Sequence, residues 1–352
     1  MPTTGSYLHW IKVSHAVPQI GFFASIGLVL INPLTVYIVW NDKKLQLGPY
    51  RYLLLYFAFF NITTSVADML VPMCVLNYRY AFSVFVSEGY FDQYSEFNQF
   101  FLAFRCSLIS GAYAVLHAHF LYRFFVLFNN QFLARWFMPY GIILAVLYCL
   151  FHTVYWTIFC WFYMGGDFDR RVYIRDSMLE HHGVDVMNMT IIIAQYFEGT
   201  PQAMKKSRIG IGSLSVLSII SLVFIFHFGY KICHKLSSQS LEMSEKTKKL
   251  QTQLMKALVV QAAIPTCVSF APCLFAWYQP VFGLDLGRWI QHAAGIAVAT
   301  FPALDPLALI FFVPTFRKKF AEYFLFLKSC RTNRTTCSQQ TTTSTSQPRI
   351  DK

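Results

Sequence analysis

The sequence predicts an all-α membrane protein: a seven-transmembrane helix bundle with its N-terminus outside and a short amphipathic helix after the seventh span. Three observations carry that reading. The 352-residue chain is 55% hydrophobic and only 13% charged, too few charges to cover a soluble fold of this size. It contains seven apolar runs, each long enough for the roughly 20 helical residues that cross a ~30 Å hydrocarbon layer. Its basic residues also fall on alternate connecting segments. The same composition, with 36 Phe and 20 Tyr, excludes disorder, a collagen-like repeat and a small disulfide scaffold.

The spans run about 16–40, 52–76, 97–122, 137–163, 209–230, 257–278 and 289–313. Residues 1–15 precede them as an outside N-terminus, 314–330 follow as a juxtamembrane helix, and 331–352 form a Ser/Thr-rich tail of disordered composition. Membrane β-strands would be about 10 residues of strict alternation, and these runs are longer and continuous. The first run is too long for the apolar region of a signal peptide and stays as a span. Trp40, Trp136, Trp161, Trp277 and Trp289 lie near span ends, where interfacial anchors belong. No internal repeat is visible, which argues against an inverted-repeat transporter.

Orientation follows from the charges between spans. Segments 41–51, 123–136, 231–256 and 314–352 hold 19 basic and five acidic residues, whereas 1–15, 77–96, 164–208 and 279–288 hold nine and ten. The first set is cytoplasmic by the positive-inside rule. The net charge of +12 is therefore a topology signal, and no nucleic-acid partner is expected. Asn188-Met189-Thr190 is a glycosylation sequon in the long outside loop. After the last span, Phe316, Phe320, Tyr323, Phe324 and Leu327 recur at helical spacing, the pattern of a helix lying in the inner interface. Cys330 follows it, either a palmitoylation candidate or a plain tail cysteine.

Polar groups inside a membrane are costly and have a task or a partner. Asn32, Asn61 and Asp305 fall at similar depth in spans one, two and seven, and Pro306 opens the helix ladder beside Asp305. They form a network that either glues the bundle or rearranges on activation. Pro265 and Pro272 make span six a kinked helix. Arg105 lies 18 residues before Arg123, roughly 27 Å up the helix. It binds a ligand carbonyl or carboxylate, or else pairs with Asp68 or an outer-loop acid, or snorkels to water. Tyr113, Phe275, Trp277, Tyr278 and His292 lie at depths that suit a pocket for a small, mostly apolar ligand, or are plain packing. The nine cysteines show no metal spacing. Cys106 and Cys160, both in outer halves, either meet in a disulfide or stay inert. With no phosphate loop, His-Glu-x-x-His or Gly-x-Ser-x-Gly element, no enzyme activity, cofactor or metal is expected.

Tyr122-Arg123 at the inner end of span three resembles the Asp-Arg-Tyr element of G-protein-coupled receptors, its first acid replaced. Asp305-Pro306-Leu307-Ala308-Leu309 resembles their Asn-Pro-x-x-Tyr element, with Asp first and no tyrosine. The blocks 48–53, 117–124, 250–266, 302–310 and 316–318 are, more specifically, similar to nematode serpentine chemoreceptors of the Str class, and the similarity spans most of the chain. That resemblance implies a chemosensory receptor at the plasma membrane, in sensory-neuron cilia. It would bind an odorant or other small chemical cue in the outer half, near Arg105, Tyr113 and the span-six aromatics. It would activate a heterotrimeric G protein through Tyr122, Arg123, Lys249, Lys256, Asp305 and Pro306. For the lysines, contact with anionic membrane lipid is the simpler role. The rival class is a seven-helix ligand-gated channel or small-solute transporter, which predicts several intramembrane charges along one path. Two departures stand out. Neither the region around Asn98 nor loop 164–208 has a cysteine, so something else holds that loop. The acid before Tyr122-Arg123 is also missing, which leaves open what restrains Arg123.

Overall fold

The computed structural model describes residues 21–41, 48–86, 88–128, 130–237, 245–284, 288–314 and 316–323. The N-terminal segment 1–15, Cys330 and the tail 331–352 lie outside them. Among the described residues, seven helices are long and apolar enough to cross a membrane: Gly21–Asn41, Tyr50–Leu70, Glu96–Phe128, Phe137–Tyr163, Pro201–Ser237, Lys248–Tyr278 and Ala293–Phe312. They are spans one to seven below. Span three is the axle, buried almost continuously from Leu102 to Phe120 and packed against spans two, four, five and six.

Spans three and five, at 33 and 37 residues, outrun the predicted 97–122 and 209–230. Hydropathy marks the hydrocarbon layer, whereas a helix continues into water until its chemistry stops it. Span five begins at Pro201, whose fixed φ and missing N–H suit a first helical position.

Span two is corrected. Predicted to reach residue 76, it stops at Leu70, because Pro72 pushes Val71 out of helical geometry (φ −129°, ψ 72°). The chain then forms strand β1 (Met73–Tyr78), turns at Arg79-Tyr80, and returns as β2 (Ala81–Val86). β2 pairs antiparallel with β3 (Ile191–Gln195) from the long outside loop, in the register Phe85↔Ile191. The fold is thus mostly helical with a three-stranded sheet at one end.

That sheet is buried on both faces, and the strand period of two sorts its residues. Met73, Phe82, Val84, Ile192 and Ala194 pack onto the helix bundle. Cys74, Leu76, Phe85, Ile191 and Ile193 pack under loop helix Phe168–His182 through Ile174 and Met178. Two arginines of that loop helix do the work a disulfide might have done. Arg170, fully buried, donates to the Gly165, Tyr163 and Ala203 carbonyls at 2.8–3.0 Å. Arg171 donates to the Gly166, Val186 and Met189 carbonyls and stacks over the Tyr94 ring at 4.4 Å. Burial pushes both guanidinium pKa values down, opposed at Arg170 by Asp167, yet six carbonyl oxygens still surround the two cations. Gly183, at φ 66°, closes the loop helix in the left-handed conformation that glycine adopts freely.

Two of the spans carry wide π-type turns at or beside a proline, Gly27–Ile31 before Pro33 and Pro265–Phe270, whereas span four kinks before Pro139, where Met138 leaves helical geometry (φ −110°, ψ 124°). A proline ring has no N–H and crowds the carbonyl four residues back, so widening the turn by one residue relieves the clash. Beyond span seven, Phe316 is fully buried and packs, with Phe320 and Tyr323, into the inner cluster around Leu54 and Leu309, while Arg317 and Lys318 are exposed. The described part of the amphipathic segment is thus anchored by its aromatic face.

Candidate functional site

Directly beneath the sheet, spans three to seven line a cavity of about 40 Å³. Its roof is Met73, Phe82 and Val84 from the strands, and its walls include Cys106, Trp156 and Trp277. Trp277 is buried, with its ring 6.3 Å from Phe82 and 5.6 Å from Trp156. It is a wall of the cavity rather than the interfacial anchor its position near a span end suggested. A volume of this size holds about three water-sized molecules, so a larger ligand must displace side chains.

The sequence-derived ligand residues divide. Arg105 is fully buried and paired with Asp68 of span two. This is the alternative to ligand contact that its depth left open. Its neighbour Cys106 faces the cavity instead. Tyr113 lies one layer deeper, its ring 5.5 Å from Phe270. Tyr278 shares a hydrogen bond of 2.6 Å with Ser215 of span five. Phe275 is 61% exposed on the outside of the bundle. His292 lies on the helix of span seven, with its side chain outside the described residues. Cys106 and Cys160 line the same cavity, with both thiols free.

At mid-depth, a polar seam joins spans one, two and seven, and Asn32 enters it through a backbone carbonyl of span seven. Pro306 lacks the N–H that would serve the Pro302 carbonyl one turn back. The Asn32 amide donates to that carbonyl at 3.1 Å, and to Gly27 O at 2.9 Å. Asn32 thus mends the break that Pro306 makes. The Asp305 carboxyl faces Asn61, and its backbone carbonyl accepts a long 3.5 Å contact from Gln261 of span six. The helices approach closely here, since a Cβ on Gly27 would stand 2.9 Å from Ser65 Oγ.

The inner end answers what restrains Arg123. Its guanidinium lies 3.7 Å over the Tyr50 ring and donates to Gln251 Oε1 at 2.5 Å, tying span three to the inner extension of span six. It is 2% exposed, and Nε and Nη2 have no partner among the described residues. Tyr122 packs 5.0 Å from Tyr50 and 4.7 Å from Phe137. Lys249 and Lys256 are exposed on the span-six helix. Neither Gln251 nor Tyr50 stands out in the sequence, because a neutral amide and one more aromatic carry no charge signature.

Seven membrane helices, an outer cavity and a tethered arginine at the inner end of span three define the class of seven-helix membrane receptors. The fold is that of squid rhodopsin, whose crystal structure superposes with a TM-score of 0.59 at 16% identity, covering 92% of this chain and 87% of that one. The chain belongs to the serpentine type 7TM GPCR chemoreceptor Srj family, whose model matches residues 7–320. Serpentine receptor class J-38 of Caenorhabditis elegans is 36% identical over 84% of this chain and 89% of its own length. The G-protein coupled receptor str-33 of the same organism is 25% identical over 86% and 89%. The resemblance read from the sequence therefore holds at the level of nematode serpentine chemoreceptors, with Srj the family matched. The protein is a multi-pass membrane receptor of that kind.

Proposed function

We propose that this receptor binds a small, mostly apolar chemical cue in the outer cavity and passes the event to a heterotrimeric G protein at the opposite face. The observation that carries the reading is the cavity itself, which is apolar and walled by spans three to seven together. A ligand that spreads those walls biases the relative position of span six, whose inner extension holds Arg123 through Gln251. In this reading the N-terminus and the sheet are outside, Asn188 carries a glycan, and Lys249 and Lys256 meet anionic lipid or the G protein. Asp305, Pro306 and Asn61 belong to the switching seam, and the receptor works at the plasma membrane, in the cilia of sensory neurons.

The test is a screen of cells expressing the chain against volatile and water-soluble compounds, with a calcium or cyclic-nucleotide readout. For any active compound, Trp277→Ala should shift the dose response while surface delivery persists. Arg123→Ala should abolish the response to every compound. An Arg123→Ala receptor that reaches the surface and signals normally removes the coupling assignment. A Trp277→Ala receptor with unchanged potency for all active compounds removes the cavity.

A further inference from the structure

Three sulfur atoms converge on the cavity from three different segments. Cys106 Sγ of span three stands 3.9 Å from Met73 Sδ of β1. Cys160 of span four lines the same cavity wall as Cys106, near enough for each thiol to act electrostatically on the other. All three side chains line the same small cavity, with Met164 and Cys273 beside them. Spacing along the chain could not reveal such a group, because its members are 33 and 54 positions apart.

We propose that Cys106, Cys160 and Met73 form a binding site for a soft monovalent metal ion, copper(I). Three sulfurs arranged in a plane around an ion at about 2.3 Å stand roughly 4 Å from each other, which is the separation of Cys106 from Met73. The described residues lining the cavity include no His, Asp or Glu, so the site lacks the nitrogen and oxygen donors that manganese or magnesium favour, and a set of three sulfurs falls short of the four ligands that structural zinc takes. Two thiols and a thioether select copper(I) instead. Each thiol loses its proton to solvent as its sulfur binds, and no electron changes hands. Two thiolates around a singly charged ion leave one negative charge in a buried place. The Arg105 guanidinium, paired with Asp68, is adjacent to Cys106 and within Coulombic range of both Cys106 and Cys273, so its positive field reaches the site as well as its carboxylate partner. Arg105 is 1% exposed, and its Nε and Nη1 have no hydrogen-bond partner among the described residues.

The experiment uses the full chain in lipid nanodiscs, reduced and without oxygen, titrated with copper(I) against a competing copper(I) chelator. One ion per chain should bind, and X-ray absorption should show a shell of sulfur alone at about 2.3 Å. Binding should vanish in Cys106→Ser/Cys160→Ser and persist in Cys149→Ser. Met73→Leu should weaken it by at least the roughly tenfold that loss of even a supporting group costs a metal site. Failure of the wild type to bind, a shell containing nitrogen or oxygen, or unchanged binding in the double variant overturns the proposal. So does a Cys106–Cys160 disulfide in freshly prepared protein. The absorption spectrum needs no variant, so a misfolded double mutant does not shield the proposal. No readout involves signalling, so failure here leaves the receptor reading standing, and the reverse holds too.

Discussion

Gln251→Ala is expected to raise signalling in the absence of any ligand. Arg123 Nη1 donates to Gln251 Oε1 at 2.5 Å, from a guanidinium 2% exposed. A hydrogen bond to a charged group contributes about 1.5–3 kcal/mol. Span six must carry Gln251 away for the inner face to open, so that energy favours the closed bundle alone. At about 1.4 kcal/mol per factor of ten, its loss moves the closed-to-open equilibrium by roughly 10- to 150-fold. A receptor open about 1% of the time would then be open from about a tenth to more than half of it. The Tyr50 ring, 3.7 Å from the guanidinium, still contributes about 0.5–2 kcal/mol, so Tyr50→Leu should add to the effect. The assay is second-messenger level per receptor at the cell surface, without ligand. Gln251→Glu supplies the control, since an ion pair with Arg123 should hold basal signalling below wild type. Equal basal signalling in wild type and Gln251→Ala, or equal increases in the Ala and Glu variants, refutes the tether.

Three further perturbations follow from the same geometry. Arg170→Ala strands three carbonyl oxygens in the outer loop, at about 1–3 kcal/mol for each that water cannot reach. Thermal unfolding of the purified receptor should come several degrees earlier, with Arg170→Lys recovering part of the loss, and an unchanged midpoint would show that the guanidinium does not hold the loop. Asn32→Leu removes the donor to the Pro302 carbonyl and should lower surface delivery more than Asp305→Asn, which keeps size and an acceptor facing Asn61. The reverse order, read by flow cytometry, would mean the Pro306 break needs no mending. Asn188 is exposed, so Asn188→Gln should remove a glycosidase-sensitive band on a gel, and a wild type with no such band would count against placing this loop outside.

The bundle was legible because its signals are long and redundant. About twenty apolar residues in succession, bounded by tryptophans and lysines, have few other readings. Pairing of Arg105 with Asp68 was also within reach, since two opposite charges at similar depth have little else to meet. The sheet was not. Met73–Leu76 continues the apolar run of span two without a break, and a short apolar stretch does not distinguish strand from helix by period. The hairpin turn is Arg79-Tyr80, with Arg79 at φ 47°, and no Asn-Gly or Asp-Gly announces it. Pro72 was the usable clue. The partner strand Ile191–Gln195 reads as a loop until β2 is there to pair with it. Gln251 and the sulfur cluster escaped for a shared reason: each is an encounter between segments far apart in sequence, made by side chains common in any helix.

The way the sheet is assembled sets a timetable for biogenesis. Phe85 and Ile191 are register partners 106 positions apart in the chain. At roughly 5–20 residues per second, the ribosome delivers the third strand about 5–20 s after the hairpin. Two further membrane spans must be inserted in between. Throughout that interval β2 has an open edge, a row of unpaired N–H and C=O groups that any other extended chain can join. The nascent receptor is thus most prone to wrong pairing on the outer side of the membrane, before its fifth span has been made.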